Sequence, residues 1–274
     1  MRPCQNGGYS YNGAMNKEEM LHLFRNLKDR NMRQEGIIIG ESRFVVERMI
    51  ASGLKIICGI GSGISARILM ELSGSRFPVT ELTEKEISSI IGYSFHRGML
   101  AAAVAPEQKS ISGYPDKGRG KDLLVLMPEP NIPENIGSVC RSASALGAGA
   151  LILPSNGPYP YSRRVLRSSM GTILLLPVLT LSSNPAEDII LLKKRGYLFC
   201  GTSLKEGSIE LKNFKPPDKT VLVLGNEAFG LSEEWEKGCD KLLTLKMENG
   251  TDSLNVAAAA GIFLYGMKNG QPPV

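Results

Sequence analysis

The chain predicts an α/β protein in two parts: a small α/β domain, then a larger sandwich on a mostly parallel sheet. Three observations predict this. From Gly36 to Ala105 short apolar runs alternate with segments of helical spacing. Beyond Asp122 the apolar runs become continuous and are separated by longer helical stretches, the pattern of strands covered on both faces. Between the halves, Pro106 to Lys121 is rich in Gly, Pro, Ser and Lys, the composition of a linker. The expected division is therefore a loose, Gly-rich N-terminus (1–15), a small domain (16–106), a linker (107–121) and a large domain (122–274).

In the first half, Lys17 to Arg30 suits one amphipathic helix, with Met20, Leu21, Phe24 and Leu27 on a common side. Gly36–Ile39, Leu54–Ile60, Arg76–Val79 and Met99–Ala105 read as strands. Ser42–Ala51, Ser65–Leu72 and Thr83–Ile91 read as helices, the last opened by a capping box because Glu86 lies three after Thr83. In the second half the strands are Leu123–Met127, Ala150–Leu153, Thr172–Val178, Tyr197–Gly201, Val221–Gly225 and Leu242–Leu245. Helices are expected near 134–147, 161–169, 185–195, 232–238 and 253–268.

Composition narrows the function. Of the 274 residues, 42% are hydrophobic and 22% charged, enough for packed cores. The net charge of +5 permits an anionic partner without demanding one. Five widely spaced cysteines with no CxxC read as reduced thiols, not as a disulfide framework or a metal site. No signal pattern and no membrane-length apolar run is present, so a cytoplasmic protein with no membrane partner is expected.

Open α/β sheets bind ligands beyond the C-terminal ends of their strands, and three such loops carry unusual residues here. Asn131-Ile-Pro-Glu-Asn-Ile-Gly-Ser-Val-Cys-Arg141 leads into a helix whose buried stripe is Ile136, Val139, Cys140, Ala143 and Leu146. Asn135 falls near the start of that helix and Arg141 off the stripe. In Leu224-Gly-Asn-Glu-Ala-Phe-Gly230, two glycines bracket Glu227. The third loop precedes a helix of small residues, Val256 to Ala260, which Asp252 or Ser253 can cap and beside which Ser253 and Asn255 stand. Singly, each has an ordinary structural explanation; three in one sheet mark a ligand site. Arg163 and Arg167, four apart on one helix, set two positive charges on one face. A rival site lies in the first half. Cys58-Gly-Ile-Gly-Ser-Gly-Ile-Ser-Ala66 contains G-x-G-x-x-A, with Glu81 twenty residues beyond Gly61, and would suit a nucleotide-dependent enzyme using Gly61-Ser-Gly63. A tight strand-to-helix turn explains it as well.

The three loops, in this order, resemble the SpoU (TrmH-like) branch of the SPOUT methyltransferases. Asn135 to Arg141 resembles the first motif of that family, Gly225-x-Glu227-x-x-Gly230-Leu231 the second, and Ser253-Leu254-Asn255-Val256 the third. Lys246 stands where members often have Pro. The first half resembles, more loosely, the small RNA-binding domain that precedes the catalytic domain in rRNA-modifying members. The resemblance implies a SPOUT-type sheet sandwich with a trefoil knot, a homodimer, S-adenosylmethionine as cofactor with no metal, and methyl transfer to a ribose 2′-hydroxyl of RNA, rRNA before tRNA. It implies that Arg141 is catalytic, that Asn135 and Glu227 brace the site, and that Ser253 and Asn255 orient the hydroxyl or the cofactor. Gly225, Leu245 and Leu254 would line the adenine pocket, joined by Thr202. Arg163 and Arg167 would be contacts to RNA phosphate. A non-catalytic RNA-binding protein that keeps the fold is the other alternative.

Overall fold

A computed structural model describes residues 15–25, 29–96, 98–116, 118, 120–226, 229–249 and 253–269. The chain separates into two compact units. One takes residues 1–107 and 161–175, the other 108–160 and 176–274.

The first unit contains α1 (Lys17–His22), α2 (Asp29–Glu35), β1 (Ile37–Glu41), α3 (Arg43–Ala51), β2 (Ile56–Gly61), α4 (Gly63–Ser73), β3 (Val79–Glu81), α5 (Glu84–Ile91) and β4 (Met99–Val104). Its strands are ordered β1-β4-β2-β3. β4 pairs antiparallel with β1 and β2, and β2 parallel with β3. Phe24, Ile39, Ile60, Ile87 and Phe95 lie in its core. The single helix expected from Lys17 to Arg30 is instead two. Asn16 and Glu19 cap α1 reciprocally, and it ends at His22. The capping box of α5 is present, with the Thr83 hydroxyl accepting from Glu86 N–H at 3.2 Å and Glu86 accepting from Thr83 N–H at 2.7 Å.

The glycine loop after β2 is a packing device. A Cβ on Gly61 would lie 2.9 Å from Ala66 Cα and 3.1 Å from Gly98 O, so the glycine lets α4 rest on the strand end. The Ser62 N–H, which a phosphate cradle would need, already donates to Gly98 O at 2.9 Å.

The second unit contains β5 (Lys109–Ser110), β6 (Asp122–Leu126), α6 (Pro133–Ala145) and β7 (Ala150–Pro154). The chain then lends α7 (Arg163–Ser168) to the first unit, returning with β8 (Val178–Leu181), α8 (Pro185–Lys194), β9 (Leu198–Thr202), β10 (Ile209–Glu210), β11 (Lys219–Val223), α9 (Glu233–Gly238), β12 (Lys241–Thr244) and α10 (Val256–Asn269). The strands run β10-β12-β9-β11-β6-β7-β8-β5, and every described pairing is parallel. All C-terminal strand ends therefore share one edge. The core includes Leu126, Ile152, Leu179, Phe199 and Val223.

Three expectations need correction. Residues 107–121 are not a free linker. β5 pairs with β8, and Ile111 and Tyr114 are buried in the sandwich core. The Tyr114 hydroxyl donates to the buried Asp122 carboxylate at 3.1 Å, as does that of Tyr197 at 2.5 Å. Arg195 holds the carbonyls of Ser112 and Tyr114. Polar composition hid two apolar anchors. The apolar run from Thr172 is not a strand until Val178. Gly171, at φ 81°, starts a 3-10 turn over Thr172–Leu174, and Pro177 precedes the strand proper. The last helix begins at Val256, not at 253. Asn255 caps it, accepting from Ala257 N–H at 2.9 Å through its side chain and from Ala259 N–H at 3.0 Å through its carbonyl. Asp252 lies outside the described residues.

Candidate active site

The C-terminal ends of β9, β11 and β12 open into a cavity of about 590 Å³ in the second unit. Strand geometry explains its place. Side by side, parallel strands end together, and the loops that follow have no further ladder partner.

The second motif forms one wall. Gly225 follows β11, and a Cβ there would sit 2.5 Å from Gly230 C and 2.6 Å from Leu231 N. Those are backbone atoms with nowhere to go, so only glycine fits. Asn226 and Gly230 exchange backbone hydrogen bonds of 2.8 and 2.9 Å, pinching the loop shut. The Asn226 side chain donates to Glu129 O at 2.9 Å, tying this loop to the one after β6. Glu227 lies outside the described residues.

Thr202, at the end of β9, joins the same wall. Its hydroxyl donates to Val223 O and accepts from Gly225 N–H, both at 3.3 Å. It braces the glycine turn as well as lining the cavity. Leu245, Ser253 and Leu254 line the same cavity as Gly225 and Thr202, so the expected cofactor residues come together there.

Asn135 and Asn255 meet across two helices. Pro133 opens α6 at a position where its missing N–H costs nothing. One turn inside, Asn135 is buried and accepts from Asn255 Nδ2 at 3.3 Å. The small residues of α10 permit this approach, and α6 and α10 pack directly. Thus the cap that starts α10 also ties the first motif to the third.

Arg141 stands apart. It is exposed on α6, six residues and about 9 Å of helix beyond Asn135. It makes no hydrogen bond or ion pair with a described residue and is not among the residues lining the cavity. The two arginines of α7 also part company. Arg163 turns into the first unit, bonding Glu41 at 3.0 Å and stacking over Tyr93 at 4.9 Å, whereas Arg167 is exposed.

Some cavity residues carried no strong sequence signal. Ser203, Lys205 and Glu236 meet on the wall, and Phe229, 90% exposed, stands at the rim. Ser203 was visible only as the residue after a strand end, and Glu236 only as one acid in a run of them.

Residues 122–265, more than half of the chain, match the family model described as SpoU rRNA Methylase family. The chain belongs to this family. It is an RNA methyltransferase of the SpoU type, and the match spans all three motifs. The chain is 30% identical over 190 residues to the 23S rRNA (guanosine-2′-O-)-methyltransferase RlmB of Xylella fastidiosa, covering 68% of this chain and 76% of the relative. It is 36% identical over 148 residues to the 23S rRNA (uridine(2479)-2′-O)-methyltransferase of Streptomyces viridochromogenes, covering 52% and 51%. The fold is similar to the crystal structure of the SpoU methyltransferase AviRb from Streptomyces viridochromogenes in complex with AdoMet. The TM-score is 0.76 at 24% identity, covering 92% of this chain and 96% of that one.

Proposed function

We propose that this SpoU protein transfers a methyl group from S-adenosylmethionine to a ribose 2′-hydroxyl of ribosomal RNA. The observation that carries the reading is the convergence of Thr202, Gly225, Leu245, Ser253 and Leu254 on one cavity at the parallel strand ends, with Asn135 and Asn255 joined beside it. Two relatives named as 23S rRNA 2′-O-methyltransferases support the choice of RNA and of atom.

The cavity suits the cofactor. Its volume falls in the range of small-molecule sites, and its walls are apolar with a few placed polar groups. The bound cofactor supplies an electrophilic methyl carbon on a sulfonium. A ribose hydroxyl is a weak nucleophile, so its oxygen must be aligned with the methyl carbon, its proton passing to the nucleotide phosphate or solvent as S-adenosylhomocysteine leaves. Ser253 and Asn255 provide a hydroxyl and an amide for that alignment, and Asn135 holds Asn255 in place. Arg141 serves as a fixed guanidinium charge, not as a free base. It holds the nucleotide phosphate and stabilises negative charge growing on the 2′-oxygen. Arg167 reaches RNA phosphate outside the cavity, while Arg163 anchors its helix. Ile262 and Tyr265, 46% and 61% exposed on α10, support a homodimer through that face. The family's trefoil knot and a cytoplasmic setting belong to the same proposal.

The test is methyl transfer from labelled S-adenosylmethionine to separated pools of rRNA and tRNA that lack the modification. Label entering rRNA in an Arg141-dependent manner is the expected result. Label confined to tRNA overturns the substrate, and cofactor binding without transfer to either pool favours the non-catalytic alternative.

A further inference from the structure

The cavity wall holds a cluster that none of the three motifs explains. Glu236 on α9 has a side chain only 9% exposed, yet it lines the cavity. Its Oε1 accepts from the Ser203 hydroxyl at 2.8 Å, and its Oε2 is paired with the Lys205 ammonium. Ser203 and Lys205 line the cavity too. Burial pushes the Glu236 carboxyl up, but the hydrogen bonds from Lys205 and Ser203 outweigh it and hold it below the usual carboxylate value. The group is therefore an anion at neutral pH.

A carboxylate offers about four lone-pair sites. One bond to each oxygen uses half of them and leaves one acceptor site per oxygen. Two adjacent acceptors match two adjacent donors. Among the parts of an adenosyl cofactor, the vicinal ribose hydroxyls are such a pair. Lys205 already neutralises the charge, which makes the cluster poor at attracting the cofactor's ammonium and well suited to neutral O–H donors. We infer that Glu236, held by Ser203 and Lys205, is the acceptor for the ribose hydroxyls of the bound cofactor. This rests on the proposed use of S-adenosylmethionine. It makes Glu236 a cofactor-positioning residue: it grips the ribose and leaves the methyl group to be aligned by other residues.

A structural role, fastening α9 to the loop after β9, is the competing explanation, and a binding cycle separates the two. Calorimetry with the full chain would compare S-adenosylhomocysteine with its 2′,3′-dideoxyribose analogue, on wild type and Glu236→Gln. The wild type is expected to bind the dideoxy analogue about tenfold or more weakly, the scale of hydrogen bonds to a charged acceptor. Glu236→Gln is expected to lose a similar factor for S-adenosylhomocysteine and little further for the analogue. Equal losses on the analogue in both proteins would overturn the inference. If Glu236→Gln does not fold, Ser203→Ala, which frees one carboxylate oxygen, is read in the same cycle. It should weaken S-adenosylhomocysteine severalfold more than it weakens the analogue, and equal weakening would again overturn the inference. Wild type that binds neither compound would instead remove the methyltransferase reading on which it rests.

Discussion

Gly225 and Arg141 represent two kinds of requirement, one set by packing at the cavity and one proposed for the reaction. At Gly225 the constraint is space: an added Cβ meets the backbone of Gly230 and Leu231 at 2.5–2.6 Å. Gly225→Ala must displace the loop that forms one cavity wall. Cofactor affinity is expected to fall more than tenfold while the thermal midpoint changes little, as calorimetry and circular dichroism would show. At Arg141 the proposed requirement is charge. The residue makes no ion pair with a described residue and lies off the cavity wall, so cofactor binding is expected not to depend on it. Arg141→Ala should lower kcat by roughly 10²–10³, the scale of one lost charge-stabilising donor, with cofactor Kd nearly unchanged. Normal turnover in that variant would contradict its role. The sequence marked both residues through their resemblance to the family's motifs. It could not show that Arg163 and Arg167, equivalent by spacing, face different surroundings, because Glu41 and Tyr93 lie far away along the chain. Nor could it single out Glu236, whose partners come from a different loop.

At the scale of elements, Asn255 does two things at once. It caps α10 and bonds Asn135 of α6. Asn255→Ala is expected to destabilise the second unit by about 1 kcal/mol through the lost cap. Turnover should fall further than Asn255→Asp, which keeps the cap acceptor but loses the amide donor to Asn135; steady-state kinetics beside denaturant melts would show the split. α7 gives a parallel case in the first unit. Ser162 caps it, accepting from Val165 N–H at 3.3 Å, and Arg163 clasps Glu41. Arg163→Ala should raise hydrogen exchange across 161–175 and leave α6 and α10 unaffected. Most helices were legible, because periodic apolar faces and caps are local signals, but α2 was not, since one helix was expected over Lys17 to Arg30. Helix starts and the fate of 172–178 were not legible either. Thr172–Leu174 carries the apolar content of a strand, but Gly171 and Pro177 bracket it and its burial lies against the first unit. Local propensity has no term for that packing.

The molecule as a whole shows how chain order and packing diverge. The sandwich, its parallel pairing and the site at the strand ends follow from continuous apolar runs and from loops placed after them. The division into units does not follow from chain order, since α7 leaves one unit for the other and residues 108–121 join the sheet they were expected only to precede. The buried Asp122 explains the second point: Tyr114 and Tyr197 both donate to it. Tyr114→Phe removes one donor from a buried carboxylate and should cost about 1–3 kcal/mol, seen as a lower denaturant midpoint. Burial also pushes the Cys58 and Cys200 thiols up to about 12, so few thiolates exist at pH 8 and neither should react with iodoacetamide before unfolding. Ile262→Glu with Tyr265→Glu should convert the proposed dimer to monomer in light scattering. The most direct measurement is the identity of the methylated nucleoside. RNA labelled by this protein from methyl-labelled S-adenosylmethionine would be digested to nucleosides and separated. Label in a 2′-O-methylnucleoside is the predicted result; label on a base would contradict transfer to the ribose.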